Sequence, residues 1–217
     1  MKQIIVCMSL LAVLLAPGLT LAAAPVSEPG VAPTVARIQA RLTPAPVVRG
    51  HFEQAKTLAG FDQPLRSSGQ FSFSRDHGVI WQIQTPFAAT VVITRDALRE
   101  RGGDGAWRRT AADRHPAVAM IHRLSQALMG ADLDQLQQHF ELQPLPTDGP
   151  GWQLQLQPRD GTMAQLLRAA EVQGAETVQA LTLIETNGDR TDIRLHGTTD
   201  DQLQAAERDL LSAPDAP

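Results

Sequence analysis

Residues 65–87 read "LRSSGQFSFSRDHGVIWQIQTPF". Alternate positions place Phe71, Phe73 and Arg75 on one face of a strand, and Val79, Trp81 and Ile83 on one face of the next. Between them, Asp76, His77 and Gly78 are residues that tolerate turn conformations. The stretch is therefore a β-hairpin. The same period of two continues around it, in "VVRGHFEQAKTL" (47–58), "ATVVITR" (89–95) and "ALRERGGDGAWRR" (97–109). Turn signals at Gly60–Pro64, Pro86 and Gly102–Gly105 separate these runs. No segment between them is long enough to be a crossover helix, so the strands are antiparallel.

Outward from this region the period changes. Val35, Ile38 and Leu42 fall on one stripe and predict a helix over 33–43, with Pro44 just beyond it. Val118, Ile121, Leu124 and Leu128 predict a helix over 116–129, followed by a short one in "ADLDQLQQHF" (131–140). Strands resume at "FELQPL" (140–145) and "GWQLQLQP" (151–158), where Trp152, Leu154 and Leu156 face away from the glutamines. A short helix at 162–169 then precedes three strands, in "AAEVQG" (169–174), "TVQALTLIE" (177–185) and "RTDIRLHGTT" (190–199). The tail "DDQLQAAERDLL" (200–211) reads as a helix or as a frayed end.

These elements define an α+β fold: nine or ten strands in one large curved antiparallel sheet, accompanied by helices. Two or three helices cannot fill so wide an inner face, so the sheet closes on itself or leaves a cavity beneath the helices. The apolar inner positions are the candidate lining: Phe71, Phe73, Val79, Trp81, Ile83, Val91 and Ile93 from the first strands, Ile121, Leu124 and Leu128 from the central helix, and Trp152, Leu154 and Leu156 from the later strand. Arg75, at the end of its strand, is at the rim. Turned inward, its guanidinium needs a carbonyl of a covering helix, an acidic side chain or a ligand oxygen; otherwise it bends out to solvent.

The amino-terminal residues 1–23 have one early Lys, an apolar run and then small residues, the pattern of a cleaved secretory signal ending near Ala22 and Ala23. Its apolar run is too short to span a bilayer. Cys7, the chain's one cysteine, lies inside that run and too early to be a lipidated anchor. Residues 24–32 read as a flexible leader, 33–200 as one domain and 201–217 as a tail. The expected location is the periplasm, in soluble and monomeric form.

The 217-residue chain carries a net charge of −4, and loss of Lys2 with the signal makes it more negative. That argues against nucleic acid as a partner. No nucleophile elbow, paired metal-binding histidines or phosphate-binding loop is present, so neither a catalytic site, a metal nor a cofactor is expected. "GGDG" at 102–105 is read as a hairpin turn. Asp132 and Asp134 are read as helix-capping and dipole-complementing residues.

Taken in order, Phe52 and Gln54 (F-x-Q), Gly69 to Arg75 (G-x-F-x-F-x-R), Trp81 to Pro86 (W-x-x-x-x-P) and Gly103 to Trp107 form a series of motifs. Over about 50–109 the chain resembles the LolA family of periplasmic lipoprotein carriers. The resemblance implies an incomplete β-barrel with a helical lid over a hydrophobic cavity that takes up acyl chains. It also implies that Arg75 bonds the lid helices and tethers the lid. Members of the family have Pro after that Arg, where Asp76, His77 and Gly78 stand here. The stretch is closer to a divergent subgroup associated with export of lipid-like or polyene-pigment products. The resemblance implies an acylated lipoprotein or lipid-like cargo, an inner-membrane exporter as donor and an outer-membrane acceptor. A lipid-sensing regulator of a membrane partner is the alternative reading. A lipid or thioester hydrolase using Asp76 and His77 with Ser67 or Ser68 comes third, because no oxyanion element accompanies them.

Overall fold

A computed structural model describes residues 34–159 and 161–212. The predicted signal, leader and last tail residues lie outside the described residues. One antiparallel sheet carries eleven strands: β1 (Val47–Thr57), β2 (Leu65–Ser74), β3 (Gly78–Thr85), β4 (Ala89–Ile93), β5 (Ala97–Arg101), β6 (Trp107–Ala111), β7 (Phe140–Leu145), β8 (Trp152–Pro158), β9 (Leu167–Gly174), β10 (Val178–Glu185) and β11 (Arg190–Asp200). The expectation was nine or ten. The segment 97–109 supplies two strands, folded back at a turn in which Gly105 takes φ +73° and donates to the carbonyl of Gly102.

The strand order is β6-β5-β4-β3-β2-β1-β11-β10-β9-β8-β7. Two meanders are thus joined at the middle, where β1 and β11 pair from Val47↔Asp200 to Thr57↔Arg190. The outermost strands, β6 and β7, do not pair with each other, so the barrel is incomplete. The chain passes from β6 to β7 through α2 (Pro116–Met129) and α3 (Leu133–His139).

Sequence parity decides the two faces of the sheet. Val48, Phe52, Phe71, Phe73, Val79, Trp152, Leu154, Leu156, Val172 and Leu195 point to the inner face and form the main core with Ile38, Ala127, Leu133 and Leu136 from the helices. Burial of this apolar surface is the main stabilising term. α1 (Val35–Gln39) is shorter than expected. Thr34 caps its start, and a turn after Gln39 still carries Leu42 into the core. The expected 162–169 helix is α4 (Gly161–Leu166), and the chain turns at once into β9, where Leu167 pairs with Glu185.

The tail forms a helix, α5 (Ala205–Ser212), on the outer face. Leu211 packs there with Ile80 and Val92, joined by Leu203, Leu210 and Trp107. Glu207 accepts from Arg49 through both carboxylate oxygens, at 3.1 and 2.9 Å, and from Ser72 Oγ at 2.7 Å. Arg99 donates to the carbonyl of Leu210 near the other end of the helix. Burial pushes the Glu207 carboxyl up, but the bonds from Arg49 and Ser72 outweigh it and hold it below the usual range.

Candidate functional site: an apolar cavity beneath a tied helix

The hairpin of β2 and β3 builds one wall. Asp76 and His77 are in the turn, and Ser74 Oγ lies 3.1 Å from His77 Nδ1. Gly78 has φ +133°, and a Cβ there would fall 2.0 Å from the carbonyl oxygen of Ile93, so only glycine fits. One strand pair over, Gly69 has a second use. A side chain there would strike the Gln82 carbonyl at 1.9 Å. Without one, Phe52 on β1 and Trp81 on β3 meet over β2 and stack with centroids 3.9 Å apart.

Trp81 is half-buried because a cavity of about 260 Å³ opens beside it. Its walls are Phe71, Val79, Trp81, Val91 and Ile93 from β2 to β4, and Val178, Leu181, Ile193 and Leu195 from β10 and β11. Ser125, Leu128 and Met129 of α2 form the roof, and Gln54 adds one polar group. Among the described residues, no ionisable side chain is on the wall. Such a lining favours an apolar guest, and an adaptable Met129 suits irregular shapes.

Polar bonds tie the roof at the carboxyl-terminal end of α2. Arg75 Nη2 donates to the Gly130 carbonyl at 2.8 Å, and Gln126 Nε2 donates to that of Ser74 at 3.3 Å. Arg75 itself is exposed and Gly130 is buried, so the bond is part-buried, with its donor side open to solvent. Gln39 braces the corner into α3. Its amide donates to the Ala131 carbonyl at 2.8 Å and accepts from the Leu133 N–H at 2.9 Å. Ala131 itself, at the corner between α2 and α3, has φ +59°, a left-handed conformation that costs a non-glycine residue energy. Asp132 caps α3, accepting from Gln135 N at 2.8 Å. Midway along α2, His122 is half-buried. Its burial and the charge of Arg95 push its pKa down, Asp96 opposes them, and Arg123 adds to the downward shift.

The structure brings Phe71, Val79, Trp81, Val91, Ile93 and Leu128 of the expected lining together around this cavity. Phe73 is wholly buried, with its ring below Gly130. Ile83 and Leu124 pack on the margin of the core. Ile121 is 41% exposed on the outer side of α2. Trp152, Leu154 and Leu156 are in the closed core with residues of α1, α3 and α4, away from the cavity wall. Trp152 Nε1 there donates to the Ala175 carbonyl at 2.7 Å. Sequence reasoning missed Gln54, Ser125, Met129, Val178, Leu181, Ile193 and Leu195; alternation in "LTL" and "DIRL" marks the apolar face of Leu181, Ile193 and Leu195, whereas Val178, of opposite parity to Leu181, reaches the cavity through a register shift before Ala180. Among the described residues, no cluster of three or more metal-binding side chains occurs, and no helix is long and apolar enough to cross a membrane.

Over residues 27–212 the sequence matches the protein family described as outer membrane lipoprotein carrier protein LolA-like. Similar solved structures include a DUF1329 family protein from Desulfovibrio piger, with 13% identity, 80% of this chain and 95% of that chain covered, and a TM-score of 0.46. A LolA superfamily protein from Nitrosomonas europaea gives 9% identity, coverage of 76% and 91%, and a TM-score of 0.42. A domain from Vibrio parahaemolyticus named for outer membrane lipoprotein sorting gives 10%, 81% and 95%, and 0.42. A search of curated proteins finds no match.

Proposed function

This chain belongs to the LolA-like family of outer membrane lipoprotein carrier proteins, and from that premise we propose that it is a periplasmic carrier. Its cargo is the acyl part of a lipoprotein or of another lipid-like product. The observation that carries this reading is the uncharged cavity under α2, lined by residues from both halves of the sheet. Each methylene taken from water into such a lining contributes ~0.8 kcal/mol, so part of one acyl chain supplies useful affinity.

At about 260 Å³ the cavity falls just below the roughly 300–1,000 Å³ of small-molecule sites. A long chain therefore enters only as α2 lifts. The bonds from Arg75 and Gln126 favour the lowered position, so the closed lid competes with cargo and helps expel it to an acceptor. Residues 1–23, acting as a secretory signal, deliver the protein to the periplasm, between an inner-membrane exporter as donor and an outer-membrane acceptor. Native mass spectrometry of protein expressed in the periplasm tests the reading. Co-purified acyl species, displaced by a synthetic acylated peptide, are expected. Protein that carries no acyl species and takes up no fluorescent fatty acid overturns it.

A further inference from the structure

Among the described residues, the large apolar side chains that stand out in solvent are Phe61 (67% exposed), Leu65 (61%), Phe87 (83%), Leu166 (50%) and Ile121 (41%). Four of them gather at one end of the sheet. Phe61 is on the β1–β2 connection, Leu65 opens β2, and Phe87 is on the β3–β4 connection. The registers Lys56↔Leu65, Ser68↔Thr85 and Thr57↔Arg190 bring these connections and the β10–β11 turn to the same end. Leu166 closes α4, which is tied to that turn by Thr186 N to the Leu166 carbonyl at 3.2 Å and Thr186 Oγ1 to that of Gln165 at 2.8 Å. The Ala59 N–H donates to Asp189 at 2.9 Å and ties the β1–β2 connection to it as well.

The charges at this end differ from those of the acidic whole. Lys56 pairs with both Glu185 and Asp189, at 2.7 and 3.3 Å, so this triad keeps a single net negative charge, held on half-buried and buried carboxylates. Arg66 and Arg168 are exposed, with Asp62 as the exposed carboxylate on the loop between β1 and β2. Apolar tips beside arginines are the composition of a membrane-surface anchor. The tips are on separate segments and make no continuous face, which suits a fluid layer that closes around each one better than a rigid protein partner. Along the inner face, half-buried Ile83 and Leu183 extend the apolar surface from the cavity toward this end.

We propose that this end of the sheet docks onto a lipid bilayer bearing anionic headgroups, with Phe61 and Phe87 entering the acyl boundary and Arg66 and Arg168 meeting the headgroups. Docking goes beyond cargo binding and does not need a loaded cavity. The test is flotation of purified protein with vesicles of phosphatidylcholine alone or mixed with phosphatidylglycerol. Partition onto the anionic mixture is expected, reduced about tenfold or more in the Phe61→Ser/Phe87→Ser protein and about tenfold in Arg66→Glu/Arg168→Glu. These positions are exposed, so thermal unfolding of the variants matches wild type. The Phe87→Trp protein gains a blue-shifted emission on vesicles, quenched by brominated acyl chains. A cavity-filled Leu181→Trp protein floats as wild type does, so failure to bind acyl cargo and failure to dock are separately visible. Wild-type protein that stays in solution with both vesicles overturns the proposal, as does equal flotation of the Phe61→Ser/Phe87→Ser protein. Equal partition onto both compositions overturns the headgroup assignment.

Discussion

Arg75 Nη2 lies 2.8 Å from the carbonyl oxygen of Gly130, joining the β2–β3 hairpin to the residue that ends α2. The guanidinium is exposed and solvent screens its charge, so the net worth of the bond is about 0.5–1.5 kcal/mol. That is enough to shift an open–closed equilibrium severalfold and too little to decide whether the protein folds.

Arg75→Leu should therefore unfold within about 1.5 kcal/mol of wild type in urea. Hydrogen exchange should rise at the end of α2. An acyl probe should bind severalfold more tightly and leave more slowly for an acceptor. Unchanged release kinetics would show that the bond does not hold a moving lid.

Leu181→Trp should fill the cavity from the sheet side. Affinity for a fluorescent fatty acid should fall about tenfold or more, since the space for several methylenes is lost. The melting temperature should hold or rise, because the added ring occupies space already present. Isothermal titration and calorimetric melting check the two halves of this expectation.

Leu154→Ala should do the reverse. Leu154 is wholly buried in the closed core, so truncation costs about 2–5 kcal/mol of stability. Acyl affinity should stay within about twofold of wild type at a temperature where both are folded. A large loss of affinity at unchanged stability would mean that the cargo reaches β8.

Glu207→Gln should loosen α5. The salt bridge to Arg49 is largely shielded, and the loss of its charge-assisted bonds costs about 1.5–3 kcal/mol. Exchange protection over 205–212 should drop first. Because the Glu207 carboxyl is held below its ordinary value of 4.5, wild type should lose this contribution as pH falls through that lowered pKa. Glu207→Gln should show a flatter acid limb in a pH series of urea midpoints.

His122 sets a second pH window. In the unfolded chain its imidazole takes a proton near 6.5, whereas in the folded protein burial and Arg95 delay protonation to lower pH. Between those values the unfolded chain binds more protons, so stability declines as pH is lowered and is fully present above 6.5. His122→Asn should remove that slope without touching the Glu207 limb.

Phe71 and Trp81 show how far parity alone reaches. Alternation assigns each to the inner face, and the structure has both there, on the cavity wall. Phe73 and Leu154 obey the same alternation yet are fully enclosed, because burial depends on which helix covers that length of strand. That information is in α1, α3 and the turn at Ala131, whose positive φ no local pattern announces. Leu181 and Ile193 were missed for a related reason. Their alternation is plain, but only the β1–β11 pairing, between residues far apart in sequence, makes them neighbours of the first hairpin. Gly69 was legible as part of a motif, while its use, letting Phe52 reach Trp81, needed three strands in view.

The chain that covers the cavity is also the chain that runs from one free sheet margin, β6, to the other, β7. The arrangement is that of a bow and its string. A guest that raises the string pulls on both limbs, and a sheet with no seam between its ends can widen its girth without breaking a ladder. On the proposed carrier reading, capacity and gating would be one deformation, and a cross-link between β6 and β7 would fix both at once.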